Sequence, residues 1–342
     1  MWLEAHWDRI TPVSSLLLPL SLVFRCAAAL RRAAYRTGLA RAQSLPVPVI
    51  VVGNLTAGGT GKTPAVLWLA NFLRVRGYVP GIVSRGYGGT RRGPHRVTPA
   101  SDPYSCGDEP VLLARRSGCE VWIGLDRAAA ARALLAARPE CNVLISDDGL
   151  QHYPLGRDLE LCVVDGARAL GNGWMLPAGP LREPPSRLLT VDGILINGSA
   201  ADTTRRDGAL ARIPAGKQFR MALQGREFHN LLNPGNRTGP EHFRGRRLHA
   251  IAGIGDPQRF FRHLEGLGLE FVAHPFPDHH PFRPADIAFA DADAIVMTEK
   301  DAVKCTAFGD ETHWVLPVEA VVEDRCGEFV LARLAALAPH AA

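Results

Sequence analysis

Residues 53–64 read Gly53-Asn54-Leu55-Thr56-Ala57-Gly58-Gly59-Thr60-Gly61-Lys62-Thr63-Pro64 and follow the apolar run Val47-Pro48-Val49-Ile50-Val51-Val52. A short strand, a glycine-rich turn and a helix opening on Lys-Thr make a phosphate cradle. Glycines at 58, 59 and 61, with Thr60, let backbone N–H groups converge on phosphate oxygens. Lys62 then reaches the outer phosphates, and the Thr63 hydroxyl is a magnesium ligand. Thr56 replaces the first glycine of the usual pattern, while Gly58 and Gly59 keep the turn permissive. A flexible loop without a ligand is the competing reading, and the strand–loop–helix order counts against it. The segment predicts a nucleoside triphosphate site.

The chain has 342 residues, more than one average domain, and 46% of them are hydrophobic, enough for sizeable cores. Its seven cysteines form no CxxC pair. An odd, scattered set points to a reducing compartment and away from a disulfide framework or structural zinc. Of the formal net charge of +5, residues 1–44 carry +4, through Arg9, Arg25, Arg31, Arg32, Arg36 and Arg41 against Glu4 and Asp8. The remaining body is almost neutral and has no recognition motif, which argues against nucleic-acid binding.

That basic amino segment reads as membrane-associated. Fifteen uncharged residues separate Arg9 from Arg25. As a helix they span about 22 Å, short of a hydrocarbon core of roughly 30 Å. Arginine snorkelling would extend the apolar reach. Trp2 and Trp7 suit an interface, and the arginines suit anionic headgroups on the cytoplasmic side. A cleavage region is missing, so a signal peptide fits poorly. The alternative is an amphipathic helix packed on the protein; monotopic attachment is the reading preferred.

Beyond the phosphate loop, short apolar runs at 80–84, 120–124, 143–146, 161–164 and 194–196 alternate with helical patterns at 65–75 and 128–137. Such alternation predicts a P-loop NTPase-like α/β fold with a mostly parallel sheet covered on both faces. After a polar stretch, 248–255 and 294–298 begin a second, smaller α/β domain. The division expected is an amino-terminal segment over 1–44, a nucleotide-binding domain over 45–200, and a second domain over 201–342 that contributes to an acceptor cleft.

Several motifs sit at predicted strand ends. Asp147 and Asp148 follow Val143-Leu144-Ile145 and would stand beside Thr63, so one aspartate with Thr63 and phosphates is a sensible magnesium shell. They would otherwise cap a turn. Arg85, in Ser84-Arg85-Gly86-Tyr87-Gly88-Gly89, would pair with phosphate or lie in an ordinary turn. Asp108, in Cys106-Gly107-Asp108-Glu109-Pro110, is either a base for an acceptor hydroxyl or a helix cap. Arg182 would contact phosphate and Glu183 would hold magnesium-bound water or orient the substrate, or the two form a surface ion pair. In Pro277-Asp278-His279-His280 a histidine would support an acidic base or stabilise developing charge, or the segment is a proline-bounded loop with one buried and one exposed imidazole; no third ligand makes a zinc site. Thr298-Glu299-Lys300-Asp301 resembles base-reading loops, or is a capped turn.

Together these motifs resemble the tetraacyldisaccharide 4'-kinase family, in order and spacing, over nearly the whole chain. The resemblance implies transfer of the terminal phosphoryl group of ATP to the 4'-hydroxyl of an acylated glucosamine disaccharide 1-phosphate. The product would be lipid IVA, formed in lipid A synthesis at the cytoplasmic face of the bacterial inner membrane. It implies Asp108 as the catalytic acid/base, His279 as its partner, and Lys62 on the β- and γ-phosphates. It also implies Thr63 with Asp147 or Asp148, joined by Glu183, on magnesium, and Arg85 and Arg182 on phosphates or headgroup. ATP, Mg2+ and anionic membrane lipids are the expected partners, with no nucleic acid and no required protein. The rival from another class is a membrane-linked P-loop NTPase switch or assembly factor.

Overall fold

Runs rich in Val and Ile become the buried centre of a parallel sheet in the computed structural model, which describes residues 2–198 and 208–337. In chain order they are β1 (Val49–Gly53), β2 (Pro80–Ser84), β3 (His95–Val97), β4 (Glu120–Ile123), β5 (Val143–Asp147), β6 (Leu159–Asp165), β7 (Gly193–Asn197) and β8 (Gln218–Gln224). Next come β9 (Phe228–Asn230), β10 (Arg237–Thr238), β11 (Leu248–Ala252), β12 (Val272–Pro275), β13 (Ala294–Thr298), β14 (His313–Leu316) and β15 (Glu319–Val322). The larger sheet has nine strands in the order β15-β8-β7-β6-β1-β5-β2-β4-β3, and the smaller has six, β10-β9-β14-β13-β11-β12. Among the described residues antiparallel pairing is confined to the margins: β3 on β4, β15 on β8, and β9 with its two neighbours.

Helices cover both faces of the larger sheet, which is why β1, β2, β5, β6 and β7 are buried along their full length. One face receives Ala65, Val66, Leu69 and Leu73 of helix Lys62–Val75, Val111 and Leu113 of helix Asp108–Ser117, and Val330 and Leu334 of helix Asp324–Leu337. The other receives Ala128, Ala131 and Leu134 of helix Arg127–Ala137, with Leu170, Leu181 and Leu188. Strand order reverses at β1, whose neighbours are β5 on one side and β6 on the other. Such a switch point opens a crevice beyond the carboxyl ends of the strands, where the phosphate loop begins.

The chain leaves the larger sheet after β8 and returns to it at β15, so the smaller sheet's strands lie between residues 228 and 316. A cut at residue 200 would part β7 from its parallel neighbour β8, which pairs Ile194 with Gln218. Phe219 and Met221 of β8 belong to the larger sheet's core. That membership is set by long-range packing, which local composition does not record.

At the amino end, helix Leu18–Arg36 is both packed and exposed. Ser21 is buried and its Oγ donates to the Met175 carbonyl at 2.8 Å, while Tyr35 stacks on Tyr153 with centroids 5.8 Å apart. The opposite side shows Leu20, Val23 and Leu30 to solvent at 60%, 68% and 72%. Trp7 is not an interface anchor: it is buried, and its indole donates to the Pro177 carbonyl at 3.1 Å. The Trp2 side chain lies outside the described residues. Among the described residues no helix is long and apolar enough to cross a membrane.

Candidate active site between the two sheets

The phosphate loop turns from β1 into helix Lys62–Val75 through Gly61, at φ +95°. A Cβ there would stand 2.8 Å from Asn197 Nδ2, so no other residue fits without displacement. Side chains from three strand ends brace the loop. Asn197 Nδ2 donates to the Thr60 carbonyl at 2.9 Å, and Asn54 Nδ2 donates to Thr60 Oγ1 at 3.2 Å. Gln151 Nε2 donates to the Asn54 carbonyl and to Glu183 Oε2, both at 3.1 Å. Backbone bonds from Ala57 to Pro180 O at 2.8 Å and from Arg182 to Leu55 O at 2.7 Å tie it to the 180–182 segment.

Lys62 and Arg182 both reach Asp148. Lys62 Nζ is 3.7 Å from Asp148 Oδ1, and Arg182 Nη1 donates to Oδ2 at 2.9 Å. Burial alone would raise the Asp148 pKa, but these two cations more than offset it and hold the carboxyl well below its usual range. Asp148 has φ +47°, a left-handed backbone that costs a non-glycine residue on the order of 1 kcal/mol. Its neighbour Asp147 points the other way: Oδ2 accepts from Ser84 Oγ at 3.0 Å, and Oδ1 is buried without a donor among the described residues. Burial, then Glu109 and Asp148, push its pKa up. Among the described residues no three His, Cys, Asp or Glu side chains converge into a metal cage. Magnesium held by one or two carboxylates, a hydroxyl and phosphates needs no such cage, and the undonated oxygen of Asp147 is a hard donor of the right kind.

Asp108 opens helix Asp108–Ser117 and is buried. His279 Nδ1 lies 3.1 and 3.0 Å from its two oxygens. An ionised carboxylate only accepts, so Nδ1 carries the proton. Burial would raise the Asp108 pKa, but the His279 bond and the charges of Lys300 and Lys304 lower it to about 2. The same pairing holds His279 protonated to higher pH, against the opposing effects of burial and Lys300. His279 has φ +59°, a second left-handed backbone at the site, and its ring packs on Tyr87 with centroids 5.0 Å apart.

Two glycines join these halves. A Cβ built on Gly255, in the loop after β11, would be 2.7 Å from Gly59 N and 3.3 Å from Asp278 Oδ2. The phosphate loop and the Asp278-His279 loop therefore share one cleft. Lys300 bridges its walls, with Nζ 3.0 Å from both Glu109 Oε1 and Asp278 Oδ1 and 3.5 Å from His279 Nε2. Thr298 caps its helix, its Oγ1 accepting from Asp301 N at 3.2 Å, so Thr298-Glu299-Lys300-Asp301 forms the capped turn.

Other residues singled out by sequence stand as follows. Thr63 is half-buried at the helix start, Gly59 is exposed, and Arg85 is exposed just after β2. Glu183 is buried, bonded to Tyr153 and Gln151, and 3.5 Å from Arg187 Nε. Arg187 also donates to Glu160 Oε1 at 2.5 Å. Removing it takes the cation from buried Glu183, while Glu160 keeps Arg157 Nη1 at 2.9 Å, so Arg187→Met is expected to cost about 2–3 kcal/mol in urea unfolding. A loss under about 1 kcal/mol would show that the network carries no such weight. Sequence reasoning missed Arg127, which is buried and donates to the Asp148 carbonyl at 3.0 Å, and the bridging role of Lys300. The spacing of Lys300 and Lys304 after a capping Thr298 was the available signal, since i and i+4 share one helix face.

A strand–glycine loop–helix at a sheet switch point, facing an acid–histidine pair, defines a P-loop-like α/β nucleotide-binding class. The sequence profile of the tetraacyldisaccharide-1-P 4'-kinase family matches residues 13–335, and the chain belongs to that family. It is 52% identical over 330 residues to the tetraacyldisaccharide 4'-kinase of Azoarcus sp. (strain BH72), covering 96% of this chain and 94% of that protein. It is also 52% identical over 331 residues to the kinase of the same name from Aromatoleum aromaticum, covering 96% of each. The crystal structure of LpxK from Aquifex aeolicus in complex with ATP matches with a TM-score of 0.78 at 27% identity, covering 94% of this chain and 99% of that one.

Proposed function

We propose that this chain is a tetraacyldisaccharide 4'-kinase that moves the γ-phosphoryl group of ATP onto the 4'-hydroxyl of an acylated glucosamine disaccharide 1-phosphate in lipid A synthesis. The observation that carries the reading is the single cleft holding both the phosphate loop and the Asp108–His279 pair, joined through Gly255. The acceptor oxygen attacks the γ-phosphorus as its proton passes to Asp108, whose negative charge His279 Nδ1–H stabilises. One O–P bond forms, the bond to the β–γ bridging oxygen breaks, and ADP leaves with that electron pair. Lys62 and Arg182 exchange their pairing with Asp148 for phosphate oxygens, and the charge they carry stabilises the transition state. Arg85, exposed beside the cleft, meets phosphate or headgroup.

Thr63, Asp147 and Asp148 would hold a magnesium ion, which would neutralise phosphate charge there. Glu183, satisfied by Tyr153, Gln151 and Arg187, instead steadies the phosphate loop through Gln151. The larger sheet carries the nucleotide, and residues 228–316 supply His279 and Lys300 to the acceptor side.

The exposed Leu20, Val23 and Leu30, with Arg25, Arg31 and Arg36 nearby, support monotopic attachment to anionic lipid at the cytoplasmic face of the inner membrane. Deleting residues 1–30 would also remove the packing of Trp7 and Ser21, so point variants are cleaner. Val23→Glu/Leu30→Glu is expected to weaken binding to phosphatidylglycerol vesicles at least about tenfold, with the same thermal midpoint. Undiminished vesicle binding by this variant would refute attachment through the helix.

Purified chain, γ-labelled ATP and membrane lipid extract test the activity together. Label entering a glycolipid supports the kinase; label appearing only as inorganic phosphate would favour a nucleotide-driven switch.

A further inference from the structure

Two buried charges behind the Asp108–His279 pair take no part in the transfer step. Lys304 and Asp301 lie one turn apart on helix Glu299–Cys305, with Nζ 3.0 Å from Oδ1, and both are almost fully buried. Lys304 Nζ also stands 3.7 Å from Asp108 Oδ2 and 4.9 Å above the Phe282 ring. Asp301 Oδ2 accepts from Gly253 N at 2.9 Å and Thr298 Oγ1 at 2.7 Å. Gly253 lies two residues before Gly255, so Asp301 joins the loop seated on the phosphate loop to the ammonium beside Asp108.

A buried ion pair is weak support for stability, because apolar residues of similar volume often serve as well. This pair sits on the smaller sheet's side of the cleft, while Asp108 sits on the larger sheet's side. Resting on the kinase reading, we propose that Lys304, anchored by Asp301, is a positioning residue that fixes the Asp108 carboxylate for proton acceptance when the cleft is assembled. Asp108 Oδ1 is held by its own helix through Glu109 N at 2.8 Å, which leaves Oδ2 to be fixed by His279 and Lys304. His279 in turn faces Asp108 from helix Asp108–Ser117, Lys300 from helix Glu299–Cys305, the adjacent Asp278, and the Tyr87 ring.

The test uses the full chain. Lys304→Met/Asp301→Asn removes both charges without stranding either, so the fold is retained. It is expected to lower kcat at least about tenfold while KM for ATP stays within about twofold. Lys304→Arg keeps the charge and is expected to retain at least about a third of kcat. A kcat within twofold of the parent in the neutral double variant, a KM for ATP that moves as much as kcat does, or an Arg variant as slow as the neutral one would overturn the role. Absence of transfer by the parent chain would sink the kinase reading, and an active parent with an unimpaired double variant would sink the positioning role alone.

Discussion

Asp108→Asn is expected to slow phosphoryl transfer by about 10²–10⁴-fold, the usual contribution of a positioned proton acceptor. ATP affinity should remain within about twofold, because the phosphate loop lies on a different strand end. Asparagine keeps the shape of the carboxylate and still accepts from Glu109 N and His279, so the fold survives. It cannot take the proton of the acceptor hydroxyl. Single-turnover transfer and ATP-binding calorimetry on the same preparation separate chemistry from binding. Transfer within about tenfold of the parent would remove Asp108 from the reaction. The variant also has a pH signature. In the folded chain the Asp108 pKa is lowered from 3.8 to about 2, so its stabilising contribution is complete above the higher value and is lost as pH falls through the lower one. The stability gap between parent and Asp108→Asn should therefore shrink as pH falls through that window, as chemical denaturation would measure.

Lys62→Met should be nearly as damaging, with kcat/KM for ATP down about 10²–10³-fold, as when one preorganised charge donor is removed from a transition state. The ammonium sits on the first turn of helix Lys62–Val75, where it and the helix dipole would act on the same phosphates. It rests against Asp148 at 3.7 Å, so phosphate competes with that carboxylate for it. Methionine preserves the length of the stem and leaves Asp148 paired with Arg182 at 2.9 Å, which limits the structural cost. Steady-state kinetics with ATP varied give the answer. A kcat/KM within about fivefold of the parent would mean that Lys62 does not touch the transferring group.

Local order was readable wherever a residue acts through its own strand or helix. The run Val49–Val52 with the glycines after it placed the phosphate loop, and Val143–Ile145 placed Asp147 and Asp148 at a strand end. The acid–histidine pair came from the family resemblance, because 171 positions separate its members and no spacing reveals such a contact. Lys300 and Glu109 stand 191 positions apart and were missed for the same reason. The edge strands β12 and β15 are short and partly exposed, so they lack the apolar run that marks β1. Trp7 reads as an interface residue only while the Pro177 carbonyl that receives its indole N–H is unknown. The partners of Glu183 were equally out of reach: its neighbours Arg182 and Pro184 say nothing of Tyr153 and Gln151, which donate to its oxygens.

The most direct measurement is phosphorus NMR on the product formed by purified chain, magnesium–ATP and a defined tetraacylated glucosamine disaccharide 1-phosphate. One new phosphomonoester, coupled to the sugar proton at the 4' position and formed in step with ADP, is the result predicted. Consumption of ATP with the disaccharide unchanged would contradict it.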